Sequence, residues 1–425
     1  MQLTPLAIVT QFAHVLQQEL FPELEAAAGP LDKKLELLAA VVSMAPLGQL
    51  VSANRSYTGR PAKDRTALAT AFMAKAILNL PTTRDLISRL RVDATLRRFC
   101  GWYSADGLPH ESKFSRAFAE FAATELPQQL HAAVIAATQS HRLIGHITRD
   151  STAIPARERV PQAVLDEKKA NEEEDQKKKQ AEQNRRAKAK AKAKTKANSE
   201  PKPKSQRRTK AQNAQPQGAF ARAKAAERGT RIQQQRLQPL TQMLKELPHR
   251  CDIGAKVNSQ GNLTWWRGYK LHLDTADGQI PISAVLTSAS VHDSQVAIPL
   301  TTMSSKRVVH LYEVMDSAYD ADEIHAHCRQ LNHVPVIAPH PRRGTKRSSQ
   351  VPKVYPDKPG PELCWAKQQR YKTRTMSERV NARLKDEFGA NQIRVRGAAK
   401  VMAHLMFGVL ALTVDQWLRI APALP

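Results

Sequence analysis

The 425-residue sequence has few cysteines, few aromatic residues (5%) and far fewer acidic than basic residues. Its cysteines form no CxxC pair, which argues against a zinc finger and against a small disulfide-stabilised scaffold. Widely spaced cysteines are typical of a reducing compartment, so we expect a cytoplasmic protein. The four residues are Cys100, Cys251, Cys328 and Cys364.

Signals for export or membrane insertion are also absent from the sequence. The N-terminal residues MQLTPLAIVTQFAHVLQQELF lack the basic start, apolar core and cleavage site of a signal peptide. The longest apolar run, residues 401–414, is interrupted by His404 and is shorter than the ~20 residues that a membrane-spanning helix needs. We therefore expect no membrane role.

Positive charge is abundant and locally concentrated. Lys and Arg outnumber Asp and Glu by 65 to 39, and residues 177–236 supply +17 of the net +26. A chain with this balance attracts polyanions, so nucleic acid is the first partner to consider. The core of this segment, RRAKAKAKAKTKANSEPKPKSQRRTK, is of low complexity and is expected to be disordered alone. It is either a solubilising linker or a DNA-phosphate binder, and its basic content favours the second.

The residues before this segment predict helices and one strand. Apolar spacing between residues 64 and 102, with caps at Asp64, at Thr82 or Thr83 and at Asp93, predicts three short helices. A further helix is expected to begin near Ser112. This cluster is either a helix-turn-helix reader of a DNA end or a helical packing domain. In the first case the phosphate contacts would come from Arg84, Arg89, Arg91, Arg97 and Arg98.

An alternation of strands and helices predicts an α/β domain. The run LIGHITRDSTAI predicts a strand over residues 143–154, and a hairpin is expected around the turn residues Ala276, Asp277 and Gly278. A helix from about His292, a strand, a helix and a last strand follow. This order indicates a mixed sheet covered by helices, interrupted after its first strand by the basic segment.

Two aspartates are predicted at the C-terminal ends of core strands. Asp150 closes HITRD and Asp316 closes HLYEVMD. Strand ends carry the ligands in open α/β sheets. Each aspartate is followed by serine, so a helix cap or an Asx-turn is an equally good explanation for either one alone.

A third acid lies on a predicted helix in RYKTRTMSERVNARLKDEFG. Tyr371, Arg374, Glu378 and Lys385 fall on one stripe about 60° wide at 100° per residue. A separate apolar stripe suited to packing on the sheet consists of Met376, Val380, Leu384 and Phe388. The alternative is a capping box from Thr375 to Glu378, which does not explain why the other three residues share the stripe.

These motifs resemble those of the DDE-type bacterial insertion-sequence transposases, in particular those with a Tyr-Arg-Glu-Lys signature around the third acid. The resemblance extends to GRPAKDRTALATAFMAKAILNL, GLPHESKFSRAF, DST, GYKLHL, SASVHDS and MDSAYDADEI. It implies a ribonuclease-H-like mixed sheet flanked by helices, with a helical DNA-end-binding or dimerisation domain over residues 1–135 before it. The catalytic domain would span residues 140–425, with the basic, partly disordered or helical insert at residues 156–250.

The resemblance also implies the chemistry. Asp150, Asp316 and Glu378 would be the catalytic, metal-binding triad. Because three carboxylates form a hard-oxygen site, the triad would bind two Mg²⁺ or Mn²⁺ ions, with Asp150 bridging both. Arg374 and Lys385 would contact DNA phosphates, and Tyr371 would contact the terminal nucleotide. Water would attack the element end first, and the freed 3′-hydroxyl would then attack the target.

The expected partners are double-stranded DNA, as element terminal repeats and as target, and a second copy in a homodimer associated with the nucleoid. Two alternatives stay open: a metal-dependent nuclease or resolvase without strand transfer, and a non-catalytic basic DNA-binding protein. His325, His327 and Cys328 diverge on a helix and do not predict a zinc site. A basic loop, APHPRRGTKRSS, is expected to contact the DNA backbone through Arg342, Arg343, Lys346 and Arg347.

Overall fold

The computed structural model describes residues 31–52, 64–167, 230–257, 261–339 and 365–421, with separate residues between 169 and 183. The chain divides into one unit of Met1–Arg159 with Arg231–Pro425, and a second unit of Val160–Thr230. In the second unit residues 162–167 are helical, and Gln162 donates a hydrogen bond to Asp166 at 3.0 Å. The low-complexity core of the basic segment lies outside the described residues, so its predicted disorder stays a prediction.

Between residues 31 and 139 the described part of the chain is helical, with turns between the helices. The predicted caps at Asp64, Thr82 and Asp93 are confirmed: Asp64 accepts from the amide of Thr66, Thr82 forms a capping box with Asp85, and Asp93 accepts from an amide of the next helix. The helices are α1 Lys33–Met44, α2 Leu47–Ser52, α3 Arg65–Ile77, α4 Thr83–Val92, α5 Ala94–Phe99, α6 Glu111–Ala123 and α7 Leu126–Gln139.

Two of the five arginines predicted to read DNA lie in ion pairs on these helices. Arg84 pairs with Glu111 at 3.0 Å and Arg89 pairs with Asp93 at 2.9 Å. Arg97 donates to the carbonyl of Leu90 at 3.0 Å. In these contacts the arginines bind other residues of the same chain, which does not bear on DNA binding. The helix-turn-helix interpretation therefore stays a prediction.

The remaining elements build a mixed sheet of six strands with helices packed against it. The sheet runs β2-β3-β1-β5-β6, and β4 pairs with β3. β1 is antiparallel to β3 and parallel to β5. The elements are β1 Leu143–Pro155, α8 Arg231–Gln235, α9 Leu240–Glu246, β2 Asp252–Val257, β3 Leu263–Ala276, β4 Ile280–Ser288, α10 Ser294–Ser305, β5 Val309–Met315, α11 Asp322–Gln330, β6 Val334–Ile337, α12 Trp365–Tyr371, α13 Thr375–Asp386 and α14 Ala398–Ile420.

Several apolar clusters hold helices against the sheet, and two of them include residues of β1 and β5. In one, Ile144 and Ile147 of β1 pack with Ile135 of α7 and Trp417 of α14. In the other, Met315 of β5 packs among residues of α10 and α11. This helix-covered mixed sheet is consistent with an α/β ribonuclease-H-like fold, as predicted from the alternation of elements.

The predicted hairpin is confirmed, and a glycine in its first strand allows the neighbouring strand β1 to approach closely. β3 and β4 join at residues 277–279, where Gly278 has φ +85°. At the other end of the paired region Gly268 has φ +148°, and a Cβ there would lie 2.2 Å from the carbonyl oxygen of Ile154. Only glycine allows β1 and β3 to approach this closely.

Two sequence-based assignments of strands need correction. Asp150 does not close its strand, because β1 continues for five more residues to Pro155 while paired with β3. The strand before the hairpin is also longer than predicted. It includes Trp265 and Trp266 and pairs with β2, which the sequence did not reveal. Trp265 is 66% exposed, whereas Trp266 donates from Nε1 to the carbonyl of Tyr269 at 3.0 Å.

α14 is the long apolar helix of this fold. With 23 residues it is long and apolar enough to cross a membrane, but 72% of its most apolar window is buried inside the protein. It packs against α1, α3, α6 and α7 as well as against β4. The N-terminal helices and the sheet thus share α14 as a common packing surface, and the domain boundary near residues 135–140 stays a prediction.

Candidate active site

The two predicted aspartates lie side by side on neighbouring strands. β1 and β5 are parallel, with Ile147 opposite Glu313 and Thr148 opposite Val314. Continuing this register by two residues places Asp150 level with Asp316. Because side chains two residues apart in a strand point to the same face, both carboxylates lie on the face that carries Val314.

The local hydrogen bonds of the two aspartates differ. Asp316 directly follows β5, as predicted, and its Oδ1 accepts from the amide of Ala318 at 2.9 Å, which caps a short 3₁₀ turn. The cap interpretation therefore applies to Asp316 in part, since its other oxygen makes no such bond. Asp150 lies inside a strand, where it caps no helix.

The segment with the third acid is helical but not one regular helix. α12 ends at Tyr371, residues Lys372–Arg374 form a 3₁₀ turn, and α13 begins at Thr375. The capping-box alternative is wrong: Thr375 donates to the carbonyl of Lys372, and Glu378 instead pairs with Arg374. The side chain of Glu378 is 48% exposed.

One residue that sequence reasoning missed joins this helix to the first acid. Asn381 lies three residues after Glu378, on the same side of α13, and its Nδ2 donates to Oδ2 of Asp150 at 3.1 Å. Val380 and Leu384 are fully buried, as the apolar stripe predicted. The packing of this stripe therefore holds α13 over β1 with Asn381 aimed at Asp150.

The electrostatics of the two aspartates favour a bound cation. Burial raises the pKa of Asp150 to about 6, and the neighbouring Asp316 acts in the same direction against Lys256 and Arg374. Burial also raises the pKa of Asp316, with the nearby Asp293 adding to the effect. Such shifts mark carboxylates that burial holds away from water at an energetic cost, as is common at functional sites.

Cations surround the carboxylates. Arg374 lies between the acids: Glu378, Tyr371 and Asp150 hold its pKa above the usual value although burial opposes this. Lys385 is half-buried, and burial with the nearby Lys256 lowers its pKa. Lys256 belongs to β2, a strand that was not predicted. The sequence signal for it was weak, because a single lysine in a short strand resembles any solvated position.

Tyr371 completes the predicted stripe. Its ring is half-buried against Val314 and Val336, and burial raises its pKa next to Arg374 and Asp316. The structure thus gathers Tyr371, Arg374 and Lys385 around Asp150 and Asp316, and connects Glu378 to them through Arg374. Arg374 lies in the 3₁₀ turn and still pairs with Glu378 in the first turn of α13.

A third aspartate, Asp293, lies beside this group. It directly precedes α10 but makes no cap hydrogen bond, and it accepts instead from Ser151 and Lys270, each at 2.9 Å. Burial opposes ionisation, yet His272 and Lys270 hold the pKa of Asp293 below its usual value. His292 contacts the hydroxyl of Ser294 at 2.8 Å, which is a local contact at the start of α10.

The opposite face of β1 carries a buried charge network. Arg149 makes two hydrogen bonds to Asp274, at 2.7 and 2.8 Å, and its Nη1 lies 3.4 Å from Glu313. Glu313 also contacts His333 at 2.9 Å and His310 at 3.3 Å. These two histidines and Glu313 are the metal-ligand-like group found in the described part of the chain. Asp150 and Arg149 are consecutive in β1, so the network lies behind the candidate site.

Other sequence-predicted residues fall elsewhere. Arg342, Arg343, Lys346 and Arg347 lie outside the described residues, so their predicted DNA contacts stay untested. On α11 the nearby ligand-type residues diverge as expected. His325 contacts Asp320 at 3.1 Å, His327 contacts Thr302 at 3.0 Å, and Cys328 contacts Glu313 at 3.6 Å.

The donor set fits a hard divalent cation. Asp150 and Asp316 offer carboxylate oxygens from adjacent strands, and Glu378 offers a third from α13, with no histidine or cysteine among their hydrogen-bond partners in the described residues. Oxygen-only sites suit Mg²⁺ or Mn²⁺. Burial raises the pKa of both aspartates, so their charged forms are unfavourable without a cation. A bound divalent ion would offset this cost.

Replacing Asn381 by leucine tests its contact with Asp150. The change keeps the side-chain volume on α13 but removes the hydrogen bond. We expect metal-dependent DNA cleavage to fall about 10- to 100-fold, as for other residues that orient metal ligands, with the melting temperature little changed. Steady-state cleavage assays and thermal unfolding measure the two effects. Unchanged cleavage would show that Asn381 does not position Asp150.

Comparisons with known proteins place the chain in a family. Residues 246–414 match the transposase DDE domain family, a range that includes Asp316, Glu378 and Asn381. Residues 23–120 match a second transposase domain family, DUF772, over the N-terminal helices. Searches of curated proteins and of solved structures gave no significant match. With two transposase domains in succession, the chain belongs to the DDE-type insertion-sequence transposases.

Proposed function

We propose that this chain cuts DNA at the ends of its own insertion element and joins them to target DNA, with Asp150, Asp316 and Glu378 as metal ligands. The observation that carries the proposal is the register of β1 and β5, which aligns Asp150 with Asp316 under a helix that presents Glu378 and Asn381. Membership of the transposase family supports the reaction class.

The protein side chains have separate roles in this proposal. Asp150 and Asp316, on a rigid sheet, would hold Mg²⁺ or Mn²⁺, and Glu378 would complete the set from α13. Two such ions, when bound, supply charge stabilisation at the scissile phosphate and lower the pKa of the attacking oxygen. Arg374 and Lys385 would pair with phosphates on either side of the cleaved bond, and Tyr371 would pack against the terminal nucleotide.

Strand transfer distinguishes the proposal from a simple nuclease. Purified protein is incubated with Mg²⁺, supercoiled plasmid and a labelled duplex that ends in the element's terminal repeat with a free 3′-hydroxyl. We expect the label to become covalently joined to the plasmid. Cleavage of the repeat without joining would indicate a nuclease or resolvase. We also propose that two copies act together, since two element ends must be joined to one target.

The raised pKa of Asp150 predicts a stability effect in the absence of metal. Its native pKa of about 6 exceeds the ordinary 3.8, so the charged carboxylate destabilises the fold. This cost is absent below pH 3.8, grows as the pH rises to about 6, and is then constant. Asp150→Asn should therefore raise the free energy of unfolding by about 3 kcal/mol at pH 7 in EDTA and by almost nothing at pH 4. Denaturant unfolding at the two pH values measures it.

Mg²⁺ should stabilise the wild-type chain but not the Asp150→Asn variant. A ligand that binds only the native state stabilises it in proportion to the logarithm of its concentration above Kd. We expect the melting temperature of the wild-type chain to rise with millimolar Mg²⁺, while Asp150→Asn stays unchanged. An equal rise in both proteins would place the ion away from Asp150.

A further inference from the structure

A second basic feature lies away from the catalytic acids. A cleft of about 410 Å³ is formed by α3, α6, the end of β1, the loop before α14 and the first turns of α14. Its floor is aromatic, with Phe72, Phe118 and Phe407 buried. Its cationic lining consists of Lys75, Arg157, Arg394, Arg396 and Lys400.

The cations of the cleft are largely free of acidic partners. Among the described residues Arg157, Arg394, Arg396 and Lys400 are exposed and have no carboxylate within 4.0 Å. The nearest acids already have partners. Asp85, which faces Lys75, is bonded in its capping box with Thr82. Glu158 accepts from Tyr269 and from the amide of Gly397.

The start of α14 adds a second attraction for an anion. No side chain caps this 23-residue helix, and its first turn holds no acidic residue but contains Lys400. A lysine in the first turn opposes the helix dipole and is unfavourable unless an anion is bound nearby. The hydrogen bond from Gly397 to Glu158, at 2.6 Å, fixes the loop that carries Arg394 and Arg396 against the strand region.

α13 leads from the catalytic acids toward α3, one of the helices that line the cleft. Asn381 of α13 contacts Asp150, Lys385 follows one turn later, and the carbonyl of Asp386 at the helix end accepts from Asn79 next to α3. From Asn381 to Asp386 the helix rises about 7.5 Å at 1.5 Å per residue. A DNA strand carries one phosphate per ~3.4 Å of helix axis, so about two phosphates span this part of α13.

We infer that this cleft binds the sugar-phosphate backbone of the double-stranded DNA whose cut end lies at the catalytic acids. Unpaired exposed arginines and lysine, an uncapped helix start and a rigid loop together make a pre-formed polyanion site on the path of α13. This inference rests on the proposed function. It adds a contact with the DNA backbone that is separate from the catalytic acids and from the basic insert.

Salt-dependent binding tests the inference. The full-length triple variant Arg394→Ala, Arg396→Ala, Lys400→Ala is compared with the control Lys33→Ala, Lys306→Ala, Arg329→Ala, which removes three exposed cations elsewhere. Anisotropy of a fluorescein-labelled 30-base-pair duplex is measured in EDTA from 50 to 300 mM KCl. The slope of log K against log salt is negative, and each lost phosphate contact reduces its magnitude by roughly 0.9. We expect a decrease of about 2 to 3 for the cleft variant and less than 1 for the control. The unchanged insert contributes equally to all three proteins.

Two further results decide between the claims. The variant Arg394→Lys, Arg396→Lys, with Lys400 retained, should restore most of the slope, because charge and not shape is required. Equal slopes in the cleft and control variants would overturn the cleft assignment, with the catalytic proposal left intact. Wild-type cleavage by Asp150→Asn would instead overturn the catalytic proposal, whatever the slopes show.

Discussion

Replacing Asp150 by asparagine is expected to lower Mg²⁺-dependent cleavage of the element ends by at least about 10³-fold, which corresponds to about 4 kcal/mol of transition-state stabilisation. The reason is geometric. Asp150 lies level with Asp316 in the β1–β5 register and is held by Asn381, so it is the carboxylate best placed to share an ion with its neighbour. Asp316→Asn should have an effect of similar size.

The matched control for these variants is Asp322→Asn, an equal change at an exposed position in the first turn of α11. It should cleave like the wild-type protein. Single-turnover cleavage of a labelled terminal repeat gives the rates, and DNA binding in EDTA should be unchanged in all three variants. A loss of less than tenfold in both Asp150→Asn and Asp316→Asn would contradict the assignment of these acids.

Replacing Arg149 by methionine is expected to lower the free energy of unfolding by about 3 to 5 kcal/mol, a large share of the stability of an ordinary domain. Its side chain is 1% exposed, and its loss would leave Asp274 and Glu313 as two buried carboxylates without their shared cation. Asp274 retains Ser304, and Glu313 retains Thr301 and the histidines, but single hydroxyl and imidazole contacts do not replace a guanidinium that is shared by both carboxylates.

Arg84→Met serves as the control for this experiment. Arg84 also pairs with a carboxylate, Glu111, but its side chain is 81% exposed, so the pair is worth about 0 to 1 kcal/mol. Urea unfolding followed by fluorescence gives both values. Equal stability losses in the two variants would show that the buried network does not hold the sheet together.

Local patterns in the sequence predicted much of this fold. Cap residues such as Asp64 and Asp93 sit where side-chain chemistry alone selects a helix start, so they were found without tertiary information. The apolar stripe of α13 and the hairpin turn at Gly278 were found for the same reason. Asp316 was placed correctly because an apolar strand ends directly before it.

Pairings between distant segments were not predictable. β2 is short, follows the basic segment, and exists because β3 extends beyond the hairpin to meet it. The extent of β1 was predicted from residues 143–154, but its pairing with β3 on both sides of Asp150 was not, so Asp150 was wrongly taken as the end of the strand. Asn381, Lys256 and Asp293 were missed as site residues because each reaches the acids only through such long-range contacts.

Anomalous X-ray scattering from crystals of the full chain with a DNA end and Mn²⁺ would locate the bound metal. We expect a manganese peak about 2 Å from carboxylate oxygens of both Asp150 and Asp316, with Glu378 turned toward the ion instead of Arg374. A peak between His310, Glu313 and His333, with none at the two aspartates, would contradict it.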